Sequence, residues 1–195
     1  MMNSKKWMLA VLASAGMFVA CSSDDDQANV ADEPDPTLYQ KLGGTTLVND
    51  PNNPNQMIEQ GRLSYRSVVD STITLIVTDI VMEEEGNLGA HFAPVLGEVA
   101  DGNDTNVARL STNLTDFFSA NTGGGDTNTY NGLGMVAAHD PEQNSRMGEK
   151  SSDEDYDQFI GYVGQAAGLN GVTDSEIINE VVEVLESLRA PIVQR

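Results

Sequence analysis

Apolar side chains recur three or four residues apart near the end of this 195-residue chain, which is the spacing of one helical face. The positions concerned are Ile177, Val181, Val184 and Leu188. Thr173 and Glu176 stand before them in the pattern of a capping box. Pro191 follows them, and proline cannot donate the backbone hydrogen bond that would continue a helix. The pattern therefore predicts a helix between Thr173 and Pro191.

Two more amphipathic helices are predicted upstream. One begins at Ser152 and Asp155 and continues to about Ala167. Its apolar face consists of Tyr156, Phe159, Ile160, Val163 and Ala167. A Gly-Leu-Asn-Gly turn over residues 168–171 joins it to the last helix, so we expect these two helices to pack antiparallel. The other runs from about Asn106 to Asn121. Its inner side consists of Val107, Leu110, Leu114, Phe117 and Phe118.

The segment from Ser67 to Met82 is ambiguous in its local pattern. Its many β-branched residues favour a strand. Four of its apolar residues also fall on one helical stripe, namely Val69, Ile73, Ile76 and Ile80. We predict a helix, because no second convincing strand is present to pair with it and a lone strand is not stable. The predicted fold class is therefore all-α, with four main helices and long polar loops.

The N-terminus has the features of a bacterial lipoprotein signal. Lys5 and Lys6 precede an apolar run that ends at Ala20, too short to span a bilayer, and Cys21 follows it. The stretch Phe18-Val19-Ala20-Cys21 resembles a lipobox, with phenylalanine where leucine is usual. We predict a signal peptide over residues 1–20 and lipidation of Cys21, which is the only cysteine. The alternative is cleavage elsewhere, which would leave a free thiol. With Ser22 next, the sorting rule of such lipoproteins implies a cell-envelope protein, anchored in the outer membrane and facing the periplasm.

Acidic residues dominate the predicted mature chain. Residues 21–36 carry many aspartates and almost nothing apolar, so this segment is predicted to be a disordered tether. Removing residues 1–20 takes away Lys5 and Lys6 and no acid, which changes the formal charge from -20 to -22. Such a charge argues against nucleic-acid partners, which require clustered lysine and arginine. Residues 37–195 have the right length for one domain.

Several fragments of this domain resemble segments of one known protein family, and they occur in that family's order. TLYQKLGG at residues 37–44 is similar to the family's short first helix and glycine turn. TNVARLSTNLTDFFSANTGG at residues 105–124 resembles its distal helix, and YNGLGMVAAH at residues 130–139 resembles the approach to its proximal histidine. The resemblance implies a group 1-like truncated globin, with a 2-over-2 helix sandwich, extended loops and a haem cofactor.

Candidate site residues follow from this resemblance. His139 occupies the position of the histidine that ligates the haem iron, and Phe92 that of the phenylalanine against the haem face. Phe118 and Met135 are expected to contact the cofactor as well. His91 is predicted to be a loop residue near the haem edge, and a role as sixth ligand is the alternative.

The expected distal side departs from the family. Truncated haemoglobins commonly hold dioxygen with a tyrosine and a glutamine, and the matching positions here are Ile73 and Leu114, with Leu110 also facing the iron. None of these side chains donates a hydrogen bond, so we expect weak oxygen binding or ready oxidation. A shift of one helical turn would instead bring Thr72 or Asn113 inward. Two loop insertions, Thr45 to Ser64 and Val95 to Asp104, also depart from the family pattern.

The resemblance implies a haem protein that binds a diatomic gas, whether oxygen, nitric oxide or carbon monoxide. Carriage, sensing and scavenging of nitric oxide or peroxide all remain open, because the reactivity belongs to the haem and its pocket. One alternative is a globin-like scaffold without haem that serves as an envelope interaction or structural protein. Another is haem storage or delivery.

Overall fold

Seven α-helices and one two-stranded sheet make up residues 34–195, which are the residues that this computed structural model describes. The helices are α1 (Leu38–Lys41), α2 (Gln60–Val81), α3 (Gly89–Ala100), α4 (Thr105–Ser119), α5 (Met135–Ala138), α6 (Asp153–Leu169) and α7 (Ser175–Ile192). The strands are β1 (Leu47–Asp50) and β2 (Asn53–Glu59), which pair antiparallel. The expectation of a helical fold is confirmed, but the domain is not all-α.

The predicted signal sequence, Cys21 and the tether up to residue 33 lie outside the described residues. Residues 35–195 form one unit. Among the helices of the described range, none is both long enough and apolar enough to cross a membrane.

Helix α2 is the central element, packing against both α4 and α6. Its buried side chains include Tyr65, Val69, Thr72 and Ile76, which are spaced four, three and four residues apart. The helix predicted for residues 67–82 is therefore confirmed, despite the β-branched composition. Thr72 is buried without losing its hydrogen bond, because its hydroxyl donates to the Val68 carbonyl at 2.8 Å.

Two apolar clusters hold the helices together, one towards each end of α2. Tyr65 packs with Leu38 and Tyr39 of α1, and partly buried residues of α7 close this cluster. Ile76 packs with Leu88 and with Tyr162 of α6. The Tyr162 hydroxyl donates to Asp79 Oδ2 at 2.8 Å, so the buried phenol is satisfied.

The segment predicted as the first loop insertion forms the two strands and the beginning of α2. Val48 pairs with Ile58, and Ile58 is buried. The Asp50 carboxylate receives two hydrogen bonds from Arg66 of α2, at 2.7 and 3.2 Å. A two-stranded sheet is marginal by itself, so this hairpin depends on α2. Its polar residues and two prolines hide it from pattern analysis, because few of its side chains face the core.

Helix α3 occupies much of the segment predicted as the second loop insertion. Gly89, Pro94 and Gly97 all lower helix propensity, which explains why the pattern did not indicate a helix. The helix forms because one face is covered by the rest of the domain, with His91 and Val95 buried four residues apart. The prediction of a long loop from Val95 to Asp104 is therefore wrong for its first six residues, which belong to α3 and end at Ala100.

The ends of the predicted helices agree with the structure in some cases and differ in others. Helix α6 begins with the expected capping box, in which Asp155 N donates to Ser152 Oγ at 3.2 Å and Ser152 N donates to Asp155 Oδ2 at 2.7 Å. The N-cap of α7 is Asp174, which accepts from Glu176 N at 2.8 Å, so the Thr173 capping box is wrong. Pro191 lies inside the last turn of α7, where one missing donor is tolerated.

Candidate functional site

A largely apolar cavity of about 180 Å³ lies among α3, α4, α6, α7 and the segments around α5. Seven residues are predicted for the haem site: six that contact the cofactor and the iron ligand His139. Six of the seven line this cavity, namely Phe92, Leu110, Leu114, Phe118, Met135 and His139. They come from α3, from α4, and from α5 with the residue that follows it, so only the tertiary fold brings them together. The seventh, Ile73, is not among the residues that line it.

Ile73 lines a smaller, adjoining cavity of about 30 Å³ between α2, α3 and α4. This is enough space for one or two water-sized molecules. Phe92, Leu110 and Leu114 line both cavities and form part of the wall between them. The structure thus places Ile73 beside the predicted cofactor site, across a wall to which these three side chains contribute. Contact between Ile73 and a cofactor stays a prediction.

His139 follows the four-residue helix α5 and is held by a short local hydrogen bond. Its Nδ1 lies 2.8 Å from the carbonyl oxygen of Met135, four residues earlier. A carbonyl can only accept, so Nδ1 carries the proton and Nε2 of the neutral ring keeps a lone pair. Within residues 34–195, no hydrogen bond is made to this Nε2.

Burial keeps the His139 ring neutral. Desolvation lowers the pKa of this imidazole below its ordinary value, and neighbouring His91 acts in the same direction. The hydrogen bond to Met135 opposes this change but does not cancel it. A neutral imidazole with a free lone pair beside an apolar cavity has the properties of a metal ligand.

His91 also lines the cavity, but both of its ring nitrogens face protein oxygens. Its Nδ1 lies 3.2 Å from the Glu149 carbonyl, and its Nε2 lies 3.2 Å from Asp155 Oδ2. The second contact has the distance of an ion pair without good hydrogen-bond geometry. His91 is 3% exposed and lies on α3, so its prediction as a loop residue is wrong.

Asp155 links His91 to the C-terminus of the chain. Burial acts to raise the pKa of this carboxyl, but hydrogen bonds from Ser152 and Arg195 hold it well below its usual range. The carboxylate is therefore charged at neutral pH and holds the His91 ring in place. The two histidines therefore differ: both ring nitrogens of His91 lie 3.2 Å from a protein oxygen, whereas Nε2 of His139 makes no hydrogen bond to any residue in the 34–195 range.

The cavity walls are mostly aromatic and aliphatic. Phe117 packs edge-on against both Phe118 and Tyr130, with ring centroids 5.5 and 5.3 Å apart. Phe118 also stacks on Tyr65, which connects the cavity wall to the core cluster around α1. The Tyr130 hydroxyl donates to the Leu133 carbonyl at 2.7 Å, so its hydrogen atom already has an acceptor.

Asn113 is a polar residue of the cavity wall that the helical pattern placed only as an alternative. It lies on α4 between Leu110 and Leu114 and is half-buried. Asn106 lies about two helical turns nearer the start of α4 and donates its amide to Glu98. The Asn113 amide makes no hydrogen bond to any described residue. The cavity is therefore not lined by apolar side chains alone.

Sequence reasoning missed two arginines of the cavity lining, Arg109 and Arg146. Arg109 precedes Leu110 on α4. Because it belongs to the polar face of that helix, the hydrophobic pattern does not predict that it reaches the cavity. Arg146 lies between α5 and α6, in a segment without hydrophobic periodicity. Only the packing of this segment against the helices reveals that it contributes to the cavity.

Comparison with family models finds no match to this chain, and no characterised protein matches it at a significant level.

Proposed function

We propose that this chain is a haem-binding protein of the truncated-haemoglobin type, in which His139 ligates the iron. The observation that carries the proposal is the state of His139: a neutral, partly buried imidazole with Nδ1 bonded to Met135 and Nε2 free, beside an apolar cavity. A histidine-ligated haem iron needs such a nitrogen, and the hydrogen bond on the other ring nitrogen orients the ligand.

In chemical character, the cavity lining suits a mostly apolar cofactor with an acidic edge. Phe92, Leu114 and Phe118 are among the apolar residues that would contact such a ring. Arginine side chains also reach the cavity, so the lining offers cationic partners for acidic groups. The four long helices, α2, α4, α6 and α7, would form the 2-over-2 sandwich of this family.

Bound haem would supply an iron centre that takes a diatomic gas such as oxygen, nitric oxide or carbon monoxide. The protein's part is to exclude water and to set the polarity of the site. The side chains of Leu110 and Leu114 cannot donate a hydrogen bond to a bound gas. Asn113, on the same wall, has an amide that makes no hydrogen bond to any described residue. The same site would serve a gas carrier, a sensor or a scavenger.

Absorption spectroscopy tests the proposal. Titrating the purified protein with haemin is expected to give a Soret band with an endpoint of one haem per chain. Reduction and carbon monoxide should then shift this band. Failure to take up stoichiometric haem would overturn the proposal and favour a globin-like envelope protein without cofactor. Rapid loss of haem to an acceptor protein would favour storage or delivery.

Asn113 is expected to stabilise a hydrogen-bond-accepting gas in the site. Replacing it with leucine, which has a similar shape, should raise the dissociation rate of oxygen by up to about tenfold, since one hydrogen bond contributes about 1 kcal/mol. Stopped-flow or flash photolysis of the haem-loaded variant measures this rate. Asn106→Leu is the matched control, because the Asn106 amide is already bonded to Glu98. Equal rates in the wild type and Asn113→Leu would contradict the role.

We also propose that the protein is anchored at the cell envelope by lipidation of Cys21. The support is the order of features at the N-terminus: basic residues, an apolar run and a lipobox-like stretch before the cysteine. Growing expressing cells with labelled fatty acid should label the wild-type protein, and Cys21→Ser should abolish the label. Labelling of the serine variant, or none in the wild type, would contradict lipidation at this residue.

A further inference from the structure

Two arginines of this acidic protein have no carboxylate partner among the residues that the structure describes, and both line the same cavity. The chain has ten lysines and arginines against thirty acids. Lys5 and Lys6 precede the described residues, which leaves eight. Six of these eight pair with a carboxylate within 4.0 Å, namely Lys41, Arg62, Arg66, Lys150, Arg189 and Arg195. Among residues 34–195, Arg109 and Arg146 make no such pair.

Chance does not readily explain this distribution. With a threefold excess of acids, a surface cation readily finds a carboxylate, as six of the eight do. Arg109 is exposed on α4, and Arg146 is half-buried between α5 and α6. They lie in different parts of the chain, yet both contribute to the lining of one cavity. Both guanidinium groups therefore remain available to an anionic partner there.

The other charges of the cavity lining are already paired. Asp155 lines the cavity, but its carboxylate is bonded by Ser152 and by Arg195, the latter at 2.8 Å. His91 lies against that same carboxylate. The charge that is not compensated at this site is therefore positive, in a protein whose formal charge is -20. Guanidinium groups bind carboxylates through strong, directional hydrogen bonds.

We infer that Arg109 and Arg146 bind the carboxylate groups of the cavity's ligand, which under the proposed function are the two propionates of haem. This inference rests on that function and adds the residues that hold the acidic edge of the cofactor. The two arginines also reduce the repulsion that this acidic protein exerts on an anionic ligand. Arg109 holds its group from α4, and Arg146 holds its group from the segment that follows His139.

Haem dissociation tests the inference without any assay of gas binding. Haem-loaded wild type, Arg109→Gln, Arg146→Gln and the double variant are mixed with an excess of a high-affinity haem acceptor, and the rate of transfer is followed by absorbance. Each single variant should lose haem about threefold faster and the double variant about tenfold faster, as partly exposed ion pairs predict. High salt should reduce these differences.

Lys150→Gln is the matched control, because it removes one positive charge close to the site from a residue that does not line the cavity. Its rate of haem loss should equal that of the wild type. An equal acceleration in Lys150→Gln would show an effect of net charge alone and would overturn the inference.

Haem dimethyl ester separates ligand contact from general damage to the fold. Without free carboxylates, the ester should leave the wild type and the double variant at the same rate. A persistent difference with the ester would show that the substitutions loosen the pocket, and would overturn the inference. So would unchanged rates with haem in all arginine variants. If the wild type binds no haem, the proposed function fails first, and the inference fails with it.

Discussion

Replacing His139 with glycine is expected to weaken haem binding by at least about 100-fold. Loss of an outer group that only orients a metal ligand costs up to about that factor, so loss of the ligand itself should cost no less. Nε2 of His139 makes no hydrogen bond to any described residue, whereas both ring nitrogens of His91 lie 3.2 Å from protein oxygens. Haemin titration followed at the Soret band measures the change. Added imidazole should restore much of the spectrum by entering the vacated position.

His91→Gln distinguishes the two histidines. The glutamine amide can still donate to the Glu149 carbonyl, so this variant should keep stoichiometric haem and the wild-type spectrum. The assignment of His139 would be wrong if His139→Gly kept the wild-type affinity and spectrum. It would also be wrong if His91→Gln, still folded by circular dichroism, lost the haem band instead.

Gly123→Ala is expected to lower the free energy of unfolding by about 3 kcal/mol, which corresponds to a melting temperature about 10 °C lower for a domain of this size. Gly123 closes the turn after α4 at φ +112°, where a side chain adds about 1–2 kcal/mol of strain. A methyl group there would also overlap Thr37, the N-cap of α1, so overpacking adds a similar cost. Thermal unfolding of the purified variant measures the loss.

Gly102→Ala separates the two causes. Gly102 also has a positive φ, +82°, but a methyl group there would meet nothing within 4 Å. Its cost should therefore be the backbone strain alone, about 1 kcal/mol, or a melting temperature about 3 °C lower. If both variants lost the same stability, contact between Gly123 and Thr37 would not matter, and α1 would not depend on a close approach of this turn.

Local pattern predicted the long helices well. Helices α4, α6 and α7 each have a capping residue or an apolar stripe that needs no knowledge of the neighbours. For α2, propensity alone would have given a strand, and the correct choice came from the absence of a suitable pairing partner. Helix α3 was missed, since its glycines and proline oppose a helix that only tertiary packing stabilises.

The sequence placed much of the candidate site but not its polar details. His139 and Phe92 were located through the resemblance, and the structure puts both in the lining of one cavity. The structure places Ile73 in the smaller of two adjoining cavities, a detail that helical spacing could not predict, because it assigns a side chain to a stripe and not to a cavity. Asn113 was left as an alternative, since one helical turn decides whether a residue of α4 reaches the cavity. No feature of the sequence predicted that Arg109 and Arg146 line the cavity.

What the sequence determined by itself is therefore local: helix periodicity, the Ser152 capping box, the strong acidity and the N-terminal features around Cys21. These properties depend on residues close together along the chain. The tertiary structure alone decided that the hairpin before α2 forms, that His91 is committed to Asp155, and that two unpaired arginines share a cavity. Each of these depends on burial or charge contributed by residues distant in sequence, and no local pattern records such contacts.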